Sequence, residues 1–125
     1  MIFTINILIV FVSIIHLYTF YLQSFVWKTK GKKVFKKYPE SYFEVSEKLA
    51  FNQGIYNAFL AIGLLWTFFI SSSQWAYNIA LFFLSFIAVA GVIGGITSGE
   101  KRIFFIQSLP AFIAIILIII KMIAF

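Results

Sequence analysis

The stretch WAYNIALFFLSFIAVAGVIGGI, residues 75–96, is the most informative part of the chain, because its 22 residues include no charged side chain. As an α-helix it would be about 33 Å long, enough to cross roughly 30 Å of hydrocarbon. In lipid the backbone must satisfy its own hydrogen bonds, so a helix is the structure that this stretch predicts. We therefore predict a transmembrane helix here.

Three further apolar segments of similar length surround it, at about residues 2–26, 49–70 and 103–124. The connections at residues 71–74 and 97–102 are short and polar, which makes successive spans antiparallel neighbours, and Gly99 is predicted to end the third helix. The predicted fold class is all-α: a polytopic membrane protein with four transmembrane helices in an antiparallel bundle. Residues 1–125 are expected to form one domain.

The composition supports a membrane protein. Of the 125 residues 62% are hydrophobic and only 11% are charged, whereas a soluble domain of this size needs more polar surface. The chain has no cysteine, which excludes disulfides and Cys-ligated metals. No basic residue precedes the first apolar segment, so we expect a retained span rather than a signal peptide.

The basic residues are concentrated on one side of the predicted bundle. Seven of the ten lie between Lys28 and Lys48, two more are Lys101 and Arg102, and the other is Lys121. Basic loops beside apolar spans are typical of a topology signal rather than of a nucleic-acid surface. We expect a multi-pass protein of the cell membrane with loops 27–48 and 97–102 cytoplasmic and both termini outside. The 28–48 loop should contact anionic lipid head groups, and no nucleic-acid partner is expected.

The long loop at residues 27–48 has its own pattern. Pro39 disfavours a continuous helix, and Ser41-Tyr-Phe-Glu44 matches a capping box. The second helix is therefore predicted to start near Tyr42 and to project out of the membrane.

Polar side chains inside the spans gather at one depth. Gln23 lies five residues before Lys28, Gln53 five after Lys48, and Gln107 five after Arg102, so each should lie about 7–8 Å inside the membrane boundary. Amides in hydrocarbon cost several kcal/mol without partners, so they should turn inward. We predict a ligand-binding cavity near the cytoplasmic side lined by His16, Gln23, Asn52, Gln53, Tyr56, Asn57 and Gln107.

Two interpretations of this cluster are open. The amides can be interhelical contacts, which contribute about 0.6–2 kcal/mol each and fix the packing, or they can bind a ligand head group. His16 likewise fits a neutral packing residue better than a catalyst. The chain has no other histidine and no aspartate or cysteine, so no metal site and no catalytic residue are predicted, and no cofactor can be named.

Small residues and a proline shape spans three and four. Gly91 and Gly95 form a GxxxG spacing, which lets a neighbouring backbone approach closely. Packing inside the bundle is the favoured interpretation, with dimerisation through span three as the alternative, so we expect a monomer or a homodimer. Pro110 should kink span four beside Gln107.

Several motifs resemble the family of small membrane proteins catalogued as domain of unknown function 1304. They are His16-Leu-Tyr18, Phe25-Val-Trp27, Lys33-Val-Phe35, Leu49-Ala-Phe-Asn-Gln-Gly-Ile-Tyr-Asn57, Val89-Ala-Gly-Val-Ile-Gly94 and Gln107-Ser-Leu-Pro-Ala111. The resemblance implies a four-helix membrane bundle and supplies no activity. A glutamate commonly stands in the family where Gln23 stands here. Size and helix count are also similar to those of DoxX-like membrane proteins.

These patterns favour a small integral membrane protein that binds a lipophilic or amphiphilic molecule, such as a lipid, a quinone or a toxin, near the cytoplasmic leaflet. One alternative is a small dimeric exporter of hydrophobic compounds, although this chain has no membrane-embedded carboxylate to couple to protons. Others are a membrane-embedded enzyme using His16 and a structural accessory subunit. We expect binding or an accessory role rather than catalysis.

Overall fold

The computed structural model describes residues 2–124, and within that range it is helical with no strand. Four of the described helices are long and apolar enough to cross a membrane: Ile2–Phe25, Glu47–Phe69, Ser73–Ser98 and Lys101–Ala124. They are named spans one to four below. The predicted all-α, four-helix fold class is confirmed.

The ends of span three follow local capping chemistry. The Ser72 hydroxyl accepts a hydrogen bond from the Trp75 backbone N–H at 3.4 Å, which caps the start of the helix. At the other end Gly99 has φ 72°, a left-handed conformation that glycine adopts without steric cost. The prediction that Gly99 ends this helix is confirmed.

The segment between spans one and two is more helical than the sequence suggested. A π-helical turn at Trp27–Gly31 continues into an α-turn at Lys32–Val34, and a short helix covers Glu40–Val45. Ser46, at φ −99° and ψ 4°, separates this short helix from span two.

The predicted capping box is wrong. The N-cap of the short helix is Pro39, whose carbonyl accepts the Tyr42 N–H at 3.0 Å, and Ser41 lies inside the helix without a capping bond. Proline suits this place because its φ of −66° is preset and it has no N–H that would be left unsatisfied at the helix start.

The described chain divides into two compact units, one with the residues up to Ile15 and from Leu60 onward, the other with His16–Phe59. In the first unit all four spans contribute to one buried core, in which small alanines alternate with branched aliphatic side chains. This pattern allows close helix packing. The buried members are Ile5, Ile9, Val12, Leu64, Ala80, Leu84, Ile87, Ala88, Ala111, Ala114 and Ile118.

Glycine brings spans three and four together within the first unit. Gly91 is buried, and a Cβ placed on it would collide with the Ser108 side chain and lie 2.9 Å from the Ser108 nitrogen. The Ser108 hydroxyl donates to the carbonyl of Ala88 at 2.7 Å. Gly91 therefore packs inside the chain, as the favoured interpretation expected. A π-helical turn covers Phe104–Ser108 and ends two residues before Pro110. The kink expected at Pro110 stays a prediction.

Candidate functional site

Within the second unit an amide pair joins spans one and two. The Asn57 Nδ2 donates to the Gln23 Oε1 at 2.9 Å and also to the backbone carbonyl of Gln53 at 3.0 Å. Asn57 and Gln23 are both half-buried. The pair satisfies polar groups that would otherwise be costly in an apolar environment, and it fixes the register of the two helices.

A second contact holds spans one and two closely together, starting from the residue next to Gln23. The Ser24 hydroxyl donates to the Phe51 carbonyl at 2.9 Å. A Cβ on Gly54 would collide with the Ser24 side chain and lie 3.1 Å from the Phe20 carbonyl oxygen. Only glycine at position 54 allows this approach.

The hydroxyls of Ser13 and Ser85 bond to their own helix. The Ser13 hydroxyl donates to the Ile9 carbonyl at 2.7 Å, and the Ser85 hydroxyl donates to the Leu81 carbonyl at 2.7 Å. Such bonds neutralise a polar group locally without making a site. The Gln23–Asn57 amides differ because they bond between helices.

A cleft of about 320 Å³ opens beside this contact at the basic ends of spans one and two. Lys28, Lys48 and Thr29 supply polar groups, and the Lys28 Nζ lies 3.5 Å from the Glu47 Oε2. Both partners of this ion pair are substantially exposed, so solvent screens it. The lining consists of Gln23, Ser24, Phe25, Val26, Trp27, Lys28, Thr29, Glu47, Lys48 and Phe51.

Trp27 gives the cleft a rigid wall. Its ring is buried and packs against Phe43 and Phe35, with centroids 5.0 and 5.7 Å away. The Trp27 Nε1–H donates to the Ser46 hydroxyl at 2.9 Å, and that hydroxyl donates to the Tyr42 carbonyl at 2.6 Å. A buried indole with its N–H satisfied has little freedom to move.

Two lysine contacts order the basic segment outside the spans. The Lys30 Nζ donates to the Tyr21 hydroxyl at 2.9 Å, and this hydrogen bond raises the pKa of Lys30. The Lys32 Nζ donates to the Glu40 carboxylate at 2.6 Å, which lowers the pKa of Glu40. Both groups are therefore charged near neutral pH.

The sequence pattern of the family described as "Protein of unknown function (DUF1304)" matches residues 10–119. The chain belongs to this family. It is also 34% identical over 99 residues to the Uncharacterized protein YpaA of Lactococcus lactis subsp. lactis (strain IL1403), covering 78% of this chain and 82% of that protein. No solved structure matches it significantly.

The predicted site residues take different places in this DUF1304 protein. Gln23 and Asn57 are hydrogen-bonded to each other, and His16 is buried on span one with 1% of its surface exposed. Gln107 belongs to the first unit, in the π-helical turn of span four that packs on Gly91. Three more residues lie exposed on span two: Asn52, Gln53 and Tyr56.

The DUF1304 sequence also contained cleft residues that the prediction missed: Ser24, Lys28, Thr29 and Lys48. The predicted site was built from polar groups inside the spans, whereas these four residues lie at the span ends. The signal was available, because Lys28 and Lys48 each stand five residues from a predicted site glutamine. Among residues 2–124 no three His, Cys, Asp or Glu side chains gather where they could hold a metal ion.

Proposed function

We propose that this protein binds an amphiphilic small molecule with an anionic head group in the cleft at the basic ends of spans one and two. The observation that supports this is one cleft that combines a cationic mouth with apolar walls. Such a combination matches a lipid-like molecule, whose charged and apolar parts need both environments at once.

The head group would meet Lys28 and Lys48. Two ammonium groups face one carboxylate, that of Glu47, so the charged side chains of the cleft sum to a net positive charge. The Lys28–Glu47 contact is partly exposed and therefore weak enough to be shared with an incoming anion. The Thr29 hydroxyl already donates to the Val26 carbonyl at 3.3 Å, so the two lysines supply the donors for a phosphate or carboxylate oxygen.

The apolar part would lie along Phe25 and Phe51, which are 65% and 46% exposed. Both line the cleft, and both belong to helices long enough to continue into the bilayer. Deeper in the cleft, Gln23 uses its oxygen on Asn57, so the ligand would meet its amide nitrogen. This amide would hydrogen-bond a carbonyl or ester oxygen near the head group.

An anionic lipid fits this cleft better than a neutral quinone or toxin, because neither of those would use the two lysines. A proton-coupled exporter needs a carboxylate within a span, and the four acids Glu40, Glu44, Glu47 and Glu100 all lie at or beyond the span ends. The likeness to DoxX-like proteins rests on chain size and helix count and adds no substrate.

The same proposal fixes an orientation in the cell membrane. The cleft mouth carries Lys28 and Lys48, and nine of the ten basic residues lie in the connections 27–48 and 97–102. By the positive-inside rule we place both connections in the cytoplasm and both termini outside. The head group would then come from the cytoplasmic leaflet, where anionic lipids are abundant.

Trp27 allows a direct test, since it lines the cleft and the other two tryptophans can be replaced. In a Trp66→Phe/Trp75→Phe background, vesicles containing brominated phosphatidylglycerol should quench Trp27 fluorescence more than vesicles with brominated phosphatidylcholine. Replacing the cleft lysines, Lys28→Gln/Lys48→Gln, should abolish this preference.

A charge-matched control separates the cleft from the rest of the basic loop. Lys33→Gln/Lys36→Gln removes two exposed lysines that do not line the cleft and should leave the preference intact. Equal quenching by both lipids would show that the cleft does not select an anionic lipid. Equal loss in both double variants would show that only diffuse attraction to the basic loop is present.

A further inference from the structure

The outer face of span two carries polar side chains that no part of the described chain covers. Asn52, Gln53 and Tyr56 are all exposed, Tyr56 by 57%. On a helix these positions fall within about 100° of one another, with Tyr56 between the two amides. They form one polar stripe, named here the span-two stripe.

The position of the stripe makes its exposure costly. Asn52 is four residues past Lys48 and Tyr56 is eight past it, so the stripe runs about 6–12 Å below the last lysine. Exposed apolar neighbours flank it, with Leu49 at 70% and Phe59 at 59%. Amides among lipid tails lose the hydrogen bonds they make in water, which favours any state that pairs them.

We infer that the span-two stripe is the interface of a homodimer. An amide both donates and accepts, and a phenol does the same, so the stripe is complementary to a second copy of itself. It contains no charge, so two copies meet without repulsion. In one membrane both copies have the same orientation, which sets the two-fold axis along the membrane normal and brings Gln53 of one copy to Gln53 of the other.

This interface differs from the one that the GxxxG spacing suggested. Gly91 on span three is occupied by Ser108 of the same chain and is not free to receive another helix. The stripe does not depend on the proposed lipid cleft either, because Asn52, Gln53 and Tyr56 are not among the cleft-lining residues. The two proposals can therefore fail separately.

Cross-linking tests the geometry, since the chain has no cysteine of its own. In native membranes, Gln53→Cys should form a disulfide-linked dimer on mild oxidation. Phe82→Cys is the matched control, because Phe82 is 58% exposed on span three and is remote in sequence from the stripe.

Association strength supplies a second measurement. Energy transfer between labelled chains in phosphatidylcholine vesicles, followed as protein is diluted in lipid, should show Asn52→Leu/Gln53→Leu dimerising roughly tenfold more weakly than the unmodified chain. Asn78→Leu, an exposed amide outside the stripe, should dimerise normally. If Gln53→Cys cross-links no more than Phe82→Cys, or if the double leucine variant dimerises as well as the unmodified chain, the stripe meets lipid and the inference is wrong.

Discussion

Single amide and hydroxyl side chains in this bundle differ in whether they bond to their own helix or to a neighbouring one. Serine hydroxyls such as those of Ser13 and Ser85 return to their own helix, whereas Asn57 reaches Gln23 on another helix. A hydroxyl can reach the carbonyl one turn back on a short side chain, and an amide has a second group left for a neighbour. Asn57, like Ser108, therefore specifies which helices meet.

The Gln23–Asn57 hydrogen bond should make a measurable contribution to the unfolding free energy. Asn57→Leu removes the donor and leaves the Gln23 oxygen without it, so we expect a loss of about 1–2 kcal/mol in unfolding free energy. Reversible unfolding in mixed micelles measures this, and Gln23→Leu completes a double-mutant cycle. Asn78→Leu is the control, because the Asn78 side chain accepts a hydrogen bond along its own helix, from Gln74 at 3.3 Å, and the substitution should change stability little. A coupling energy of zero between positions 23 and 57 would refute the pair.

Two neighbouring glycines should respond differently to the same substitution. Gly91→Ala places a Cβ against Ser108 and Gln107, so we expect a loss of roughly 1–3 kcal/mol from overpacking. At Gly94 the nearest atom to an added Cβ is the Ile103 Cγ2 at 3.4 Å, an ordinary contact, so Gly94→Ala should be neutral or slightly stabilising. Thermal unfolding in detergent compares the two, and similar losses would mean that the helices do not pack as described.

The sequence alone predicted the structural role of some of these residues and not of others. Gly99 acts through its own backbone, so its effect on the end of the helix could be predicted without tertiary information. The orientation of Gln53 could not, because it stands only about 100° from Asn52 and about 40° from Asn57 on the helix. Which of these directions faces a neighbour depends on how the helices pack.

The Ser46 hydroxyl links the short helix Glu40–Val45 to Trp27. Ser46 follows the last residue of this helix, accepts the Trp27 indole N–H and donates to the Tyr42 carbonyl. It therefore links the start of the basic segment to the start of span two. The sequence was misleading about where this short helix starts, because the Ser41–Glu44 pattern is common and Pro39 already supplied the helix start.

Removing this hydroxyl should loosen the segment. Ser46→Ala leaves the buried Trp27 N–H without its acceptor, and we expect a loss of about 1–3 kcal/mol together with a red-shifted Trp27 emission. The measurement uses denaturant unfolding followed by fluorescence in the Trp66→Phe/Trp75→Phe background. Ser41→Ala, an exposed serine of the same helix, should change the unfolding free energy by less than about 0.5 kcal/mol. Equal behaviour of the two variants would contradict the role given to Ser46.

Chemical labelling of single cysteines can measure how the whole molecule is oriented in the membrane. The absence of cysteine means that single introduced cysteines report without background. A membrane-impermeant maleimide applied to intact cells should label Ser71→Cys and not Lys36→Cys, because the positive-inside rule places the 27–48 connection in the cytoplasm. Labelling of Lys36→Cys from outside would reverse the proposed topology.

The four-helix architecture followed from apolar length alone, which is a property of each segment and needs no packing information. The cleft could not be predicted from the properties of single segments. Depth along a helix is nearly fixed by sequence, so the level of Gln23 and Lys28 could be predicted, whereas the cleft depends on how far Gly54 lets spans one and two approach.

Native mass spectrometry can show whether the cleft selects an anionic amphiphile. The protein is released from nanodiscs that contain equal amounts of phosphatidylglycerol and phosphatidylcholine, and the retained lipid is identified by mass. We predict phosphatidylglycerol on the unmodified chain and its loss in Lys28→Gln/Lys48→Gln, with retention in Lys33→Gln/Lys36→Gln. Retention of both lipids in equal amounts, or of none, on the unmodified chain would contradict the proposed selection.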